Sequence, residues 1–193
     1  PHLSTKIAFT KNPKEVEFRQ VEPLDRSKAQ ELKALRNFIR NLNKVCVAYS
    51  GGVDSTLVAA ISSEQLGPNA IAITGISSSL APHLRQEAKQ QANWIGINYE
   101  ECLTNELENP NYFNNPKDRC FTCKEELHKN LKRITSLYKE VQVIDGVNHD
   151  DLYEYRPGIL AGEQAGVISP LAELKISKKT VREISKALGF PWW

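Results

Sequence analysis

Six consecutive residues, Ser50-Gly51-Gly52-Val53-Asp54-Ser55, bring together two glycines, two hydroxyls and a carboxylate. Adjacent glycines let a backbone take positive φ and approach an anion closely, and a helix starting directly after them points its first free N–H groups at the same anion. Pyrophosphate is the guest that such a loop suits. Ser50 and Ser55 add hydroxyl donors, while Asp54 in the first helical turn suits the helix dipole and could hold Mg²⁺ against the phosphates. The Gly-Lys-Ser or Gly-Lys-Thr of a Walker loop is absent, so γ-phosphate machinery is not indicated. A bare strand-to-helix turn capped by Ser and Asp is the competing reading. Five specified residues meet by accident with a probability on the order of 10⁻⁴ at average composition, which favours the phosphate loop.

Two further groups could carry chemistry. Arg119 precedes Cys120 and Cys123 in a Cys-x-x-Cys spacing, and its planar guanidinium suits a phosphate, although a solvated helix-start arginine would read the same way. The cysteine pair fits a redox pair, two ordinary helix thiols, or half of a zinc site for which only His128 and His149 lie near. Asp150, Asp151 and Arg156 form a polar cluster that would bind a substrate if it reached the phosphate loop, and would otherwise be a turn or a cap.

The elements must bring these groups together. A β-prone run, Val45-Cys46-Val47-Ala48-Tyr49, precedes the Gly-Gly turn, and Leu57, Val58 and Ile61 follow at helical spacing. Before it, a capping box of Ser27 and Gln30 predicts a helix carrying Leu32, Leu35, Phe38, Ile39 and Leu42. After it come a strand over 70–74, a helix over 82–95 stopped by Gly96, and a strand over 97–101. Residues 104–118, rich in Asn and Pro, read as a long loop. A helix with Leu127, Leu131, Ile134 and Leu137, a strand over 141–145, a polar loop through Gly158, and a last helix capped by Ser177 and closed by Gly189 complete the chain. Residues 1–26 read as an irregular extension and 27–193 as one domain. Strands alternating with helices predict a doubly wound α/β fold, a mostly parallel sheet with helices on both faces. In such sheets ligands bind beyond the carboxyl ends of the strands, where Gly51, Thr74 and Gly146 should meet.

The whole composition agrees with a soluble globular chain: 193 residues, 40% hydrophobic and 25% charged, with a net charge of +2 too mild to form a nucleic-acid footprint. No stretch is long and apolar enough for a membrane span, and no signal-peptide pattern opens the chain, so a cytoplasmic location is expected. Four cysteines do not make a disulfide framework, and Cys46 should be a buried thiol.

Ser50 to Ser55 with the following Thr56 resembles the PP-loop of N-type ATP pyrophosphatases, which cleave ATP between the α- and β-phosphates. The segments Asn115 to Lys124, Asp145 to Asp151, Tyr155-Arg156-Pro157-Gly158 and Ser169-Pro170-Leu171 resemble the LarE family within that group, ATP-dependent sacrificial sulfur transferases that build a nickel-pincer cofactor. The resemblance covers about residues 28–193. It implies the PP-loop fold; ATP and Mg²⁺ held by Ser50, Gly51, Gly52, Asp54, Ser55, Thr74 and Gly146; catalytic roles for Asp54, Arg119, Cys120 and Cys123; and substrate contacts from Asp150, Asp151 and Arg156.

The implied reaction is adenylylation of a small-molecule carboxylate, such as that of a pyridinium mononucleotide, with release of pyrophosphate. The sulfur of LarE relatives comes from a segment C-terminal to the Leu188-Gly189-Phe190-Pro191-Trp192 region, so adenylylation without sulfur transfer is expected of residues 1–193. Cys120 beside Arg119 is the one thiol that could overturn this; Cys102 should be held protonated by Glu100 and Glu101. No nucleic-acid partner is expected, and a homo-oligomer is possible. An amide-forming synthetase, a tRNA-thiolating enzyme and an inactive nucleotide-binding module are the alternatives.

Overall fold

The computed structural model describes residues 17–77, 80–104, 119–153 and 157–193, the side chains of 119–123 and 157–158 excepted. At its centre β1 (Val45–Ala48) alternates its side chains: Val45 and Val47 join one hydrophobic layer, Cys46 and Ala48 the other. β2 (Ala70–Ile76) repeats the pattern, with Ala70 and Ala72 on the first side and Ile71 and Ile73 on the second. β3 (Asn98–Leu103) and β4 (Gln142–Ile144) complete a parallel sheet of order β3-β2-β1-β4. Both faces are covered, which is why the central strands read as unbroken apolar runs.

Parallel neighbours need crossovers, and helices supply them. α1 (Arg26–Arg40), α2 (Val53–Leu66) and α3 (Pro82–Ile95) pack on the first face, with Leu35, Ile39, Leu57, Ile61 and Ile95 buried among them. α4 (Arg119–Thr135) crosses to the second face and seats Leu127, Leu131 and Ile134 there. β1 leads to β2 on one side, whereas β4 returns on the other side of β1. The sheet therefore reverses its winding between β1 and β4, where such folds place their ligands.

Several expected boundaries hold. Gly96 ends α3 in the left-handed conformation at φ 78°, and Ser177 caps α7 (Lys178–Ala187) by accepting from Thr180 N. Others move. Asp25, not Ser27, caps α1: its carboxylate accepts from Lys28 N at 2.9 Å, and Ser27 falls inside the first turn, 3.3 Å from Glu31 Oε1. α5 (Pro157–Gln164) and the short α6 (Pro170–Glu173) occupy a stretch that the sequence left without helix. Leu137, expected on α4, lies beyond its end and is 64% exposed.

Residues 17–25 carry no helix or strand, yet they are anchored. Phe18 stacks on Trp94 and meets Phe190 edge-on, and Val21 N donates to Ala187 O at 2.7 Å. Residues 1–16 and all but Thr104 of the expected loop over 104–118 lie outside the described residues.

Candidate functional site

The end of β1 is fixed before the loop begins. Tyr49 N donates to Ile73 O at 3.0 Å, and the Thr74 hydroxyl donates to Tyr49 O at 2.9 Å. Beneath, the buried Tyr49 hydroxyl and the Thr56 hydroxyl both donate to Gln91 Oε1, at 3.3 and 2.9 Å, so α3 anchors both sides of the turn. Burial pushes the Tyr49 phenol up to about 12, keeping it a neutral donor.

The loop then turns at Gly51, where φ is +78° and an added Cβ would meet Ala88 Cβ at 3.1 Å. Only glycine satisfies both conditions cheaply. The two serines brace the turn: Ser55 Oγ lies 3.1 Å from Ser50 Oγ, accepts from Ser50 N at 3.3 Å and donates to Gly52 O at 3.1 Å. Gly52 is the N-cap of α2, and no side chain caps that terminus. The first amides of a fourteen-residue helix are thus left for another acceptor, and an anion is the natural one.

Gly146 closes the arrangement from β4. A Cβ there would stand 2.5 Å from Ser55 N and 2.9 Å from the carbonyl carbon of Asp54. The next residues are tied by their own side chains. Asp145 Oδ1 accepts from Val147 N at 3.1 Å and Ser169 Oγ at 2.7 Å. Asn148 and Asp151 cap each other's backbone, Asp151 N donating to Asn148 Oδ1 and Asn148 N to Asp151 Oδ2.

A recess of about 200 Å³ lies between this loop and α4, lined among others by Ser50, Asp54, Lys124, His128, Asp145 and Asp151. It is smaller than the ~300–1,000 Å³ of a pocket that swallows a whole ligand, and so suits the phosphate end of one. A larger hollow at Phe18, Arg36 and Glu64 lies at the opposite end of α2. Its Arg36 and Glu64 charges already neutralise each other at 2.7 Å, so it offers no comparable anion site.

Ser50, Gly52, Asp54, Ser55, Gly146 and Asp151 line the one recess, with Gly51 in the same loop and Thr74 bonded to Tyr49 O at the loop's foot. Asp150 turns to the start of α7, where its Oδ2 accepts from Lys178 N at 2.8 Å. Arg119, Cys120 and Cys123 open α4, their side chains outside the described residues; Arg156 and Asn115 to Asp118 lie outside them as well.

Sequence reasoning missed Lys178, whose ammonium pairs with Asp54 Oδ2, while Asp54 Oδ1 is buried without a partner among the described residues. A signal existed: a lysine opening a helix opposes the dipole, and needs an anion to justify it. His128 entered the sequence reading only as a histidine near the cysteine pair, whereas the structure sets it on the wall of the recess. Its ring is buried against Gly162, and burial holds it below the ordinary imidazole value, Asp145 opposing and Lys124 adding to the shift.

The remaining thiols are insulated. Burial pushes the Cys46 thiol up, and pushes Cys102 up to about 11. The direction expected for Cys102 holds, but the cause differs: burial leads and Glu126 contributes, while Glu101 is engaged by Arg85 at 2.9 and 2.5 Å.

A parallel sheet with a Gly-Gly loop between its central strand and an uncapped helix, sited where the winding reverses, defines a PP-loop nucleotide-binding domain. Residues 29–192 match the NAD synthase family, and the chain belongs to that family of ATP-using PP-loop enzymes. It is 53% identical over 163 residues to an uncharacterized protein of Synechocystis sp., covering 84% of this chain and 61% of the relative. To the pyridinium-3,5-bisthiocarboxylic acid mononucleotide synthase of Lactiplantibacillus plantarum it is 31% identical over 156 residues, covering 80% and 56%. Its fold is that of the NH3-dependent NAD synthetase of Campylobacter jejuni, solved with a nitrate ion, at a TM-score of 0.72 and 18% identity, covering 86% of this chain and 74% of that one. The chain spans little more than half the length of the curated relatives it matches. No helix among the described residues is long and apolar enough to cross a membrane.

Proposed function

We propose that the chain binds Mg·ATP with its pyrophosphate end on the α2 amides and transfers the adenylyl group to the carboxylate of a small molecule. The carboxylate oxygen attacks the α-phosphorus, the bond from that phosphorus to the bridging oxygen breaks, and pyrophosphate leaves. One observation carries the reading: the α2 terminus has no side-chain cap and is presented by a loop already braced through Ser50 and Ser55. Amides that need no reorganisation stabilise charge on a departing group far better than mobile donors. Lys178 stands beside them to share that charge.

The orphaned Asp54 Oδ1 fits a hard divalent cation, which would neutralise phosphate charge when bound. Thr74 lies near the carboxyl end of β2, where adenine would sit beside the phosphate loop, and Asp151 lines the recess. We assign the acceptor to the pyridinium mononucleotide carboxylates, supported by the named Lactiplantibacillus plantarum relative, with Arg156 as a further contact. A sulfur nucleophile would then displace AMP. Lys124 and His128 line the recess from α4, the helix that Arg119, Cys120 and Cys123 open.

Calorimetry with Mg·ATP, followed by a pyrophosphate assay with a pyridinium carboxylate mononucleotide, tests this. Acceptor-dependent pyrophosphate release that is lost in Asp54→Ala is expected. Unchanged binding and release in that variant would overturn the role given to Asp54, and no ATP binding by the native chain would overturn the reading entirely.

A further inference from the structure

The two carboxylate oxygens of Asp54 are served unequally. Oδ2 is paired with the Lys178 ammonium, and Oδ1 is buried without a partner among the described residues. Lys178 is placed there by the fold. Its backbone N–H is held by Asp150 Oδ2 at 2.8 Å, Ser177 caps the helix it opens, and α7 is locked on the core through buried Val181 and Ile184. The other acidic groups of the recess are occupied elsewhere: Asp145 Oδ1 by Val147 N and Ser169, and Asp151 Oδ2 by Asn148 N. Among the carboxylates lining the recess, Asp54 is the one with an oxygen that is buried and without a partner among the described residues, and an ammonium already sits on its other oxygen.

We propose that Lys178 is a built-in counter-ion that closes Asp54 to divalent cations until a polyphosphate arrives, so the protein takes up the cation with its nucleotide and not alone. An ammonium in contact with Oδ2 opposes a divalent cation by like charge and by occupying space that an octahedral ion and its waters require. A bound polyphosphate supplies a second anion within reach of the same side chain. Lys178 then leaves Asp54 without becoming unpaired, and the carboxylate is released when the phosphates to be neutralised are present. The inference rests on the proposed reading of Asp54 as a cation ligand.

Mn²⁺ serves as the probe, its free signal followed by electron paramagnetic resonance with native protein, Lys178→Gln, Lys178→Arg and Lys178→Gln/Asp54→Asn. Without nucleotide, Lys178→Gln is expected to bind Mn²⁺ at least about tenfold more tightly than native protein, a change that removal of one contacting charge readily supplies. Lys178→Arg should behave as native, and the double variant should lose the gain. Adding a non-hydrolysable ATP analogue to native protein should give Mn²⁺ binding tighter than the same analogue shows in buffer without protein. Equal Mn²⁺ affinity of native and Lys178→Gln without nucleotide, or a gain that survives Asp54→Asn, would overturn the proposal. Should Lys178→Gln not fold, the native protein decides alone: Mn²⁺ bound as tightly without the analogue as with it refutes the counter-ion. Failure of every variant to bind the analogue would reject the nucleotide reading, while the nucleotide-free comparison still judges Lys178.

Discussion

A β-carbon on Gly146 would stand 2.5 Å from the amide nitrogen of Ser55. The loop after β4 thus lies flush on the first turn of α2, and the two backbones set each other's position. Gly146→Ala must push them apart, an overpacking expected to cost about 1–3 kcal/mol. Urea denaturation should show that loss, and calorimetry should show ATP binding weakened as the α2 amides shift. A variant unaltered in both would mean that the contact does not position the site.

Thr56→Val should separate stability from chemistry. The substitution preserves shape but removes the hydroxyl that donates to Gln91 Oε1 at 2.9 Å in a buried network. Its expected cost is about 0.5–1.5 kcal/mol, the net worth of one hydrogen bond to an acceptor that keeps its other donor. Tyr49 still donates to the same oxygen, so the loop should keep its shape. ATP affinity well below native in this variant would show that the network tunes the loop as well as supporting it.

The pH dependence of stability should carry a contribution from His128. Burial lowers its proton affinity in the folded chain below the ordinary value of 6.5, Asp145 pulling the other way and Lys124 reinforcing the shift. The unfolded chain therefore binds that proton more readily. The contribution is complete above pH 6.5 and is lost as pH falls through that value towards the folded pKa. The slope of the urea midpoint between about pH 7 and about pH 5 should flatten in His128→Asn. A native slope in the variant would assign the effect to other groups.

Native-state alkylation offers a check on the thiols. Cys46 is fully buried and Cys102 is pushed up to about 11, so neither presents appreciable thiolate near pH 8. Iodoacetamide followed by peptide mass mapping should leave both unmodified until the protein is unfolded. Labelling of Cys102 in the folded state at the rate of a free thiol would contradict the insulation that the structure gives it.

What the residues disclosed in advance was mostly local. The strand, Gly-Gly turn and helix around Ser50 are legible because periodicity, glycine and caps act over a few residues, and Gly96 and Ser177 mark helix ends for the same reason. Competition between neighbours was harder to read: Asp25 and Ser27 both suit a cap, and the carboxylate two residues earlier takes it. The partnership of Asp54 and Lys178 spans 124 positions and depends on how α7 docks against α2, which no short-range pattern encodes. Asp150 and Asp151 look alike in sequence, but one fastens the start of α7 and the other faces the recess.

The order β3-β2-β1-β4 has a kinetic consequence. Because β1 pairs with a strand that begins some seventy residues before its other neighbour, the phosphate recess has no local precursor. Its walls come from three separated stretches, 48–55, 124–128 and 145–151, and contacts of such long range are closed late and at high loop entropy. Partly assembled chains can hold the Gly-Gly turn in shape but not the complete ion-binding surface. A bound nucleotide therefore recognises only the finished topology, and its binding energy is felt by strands that never touch it.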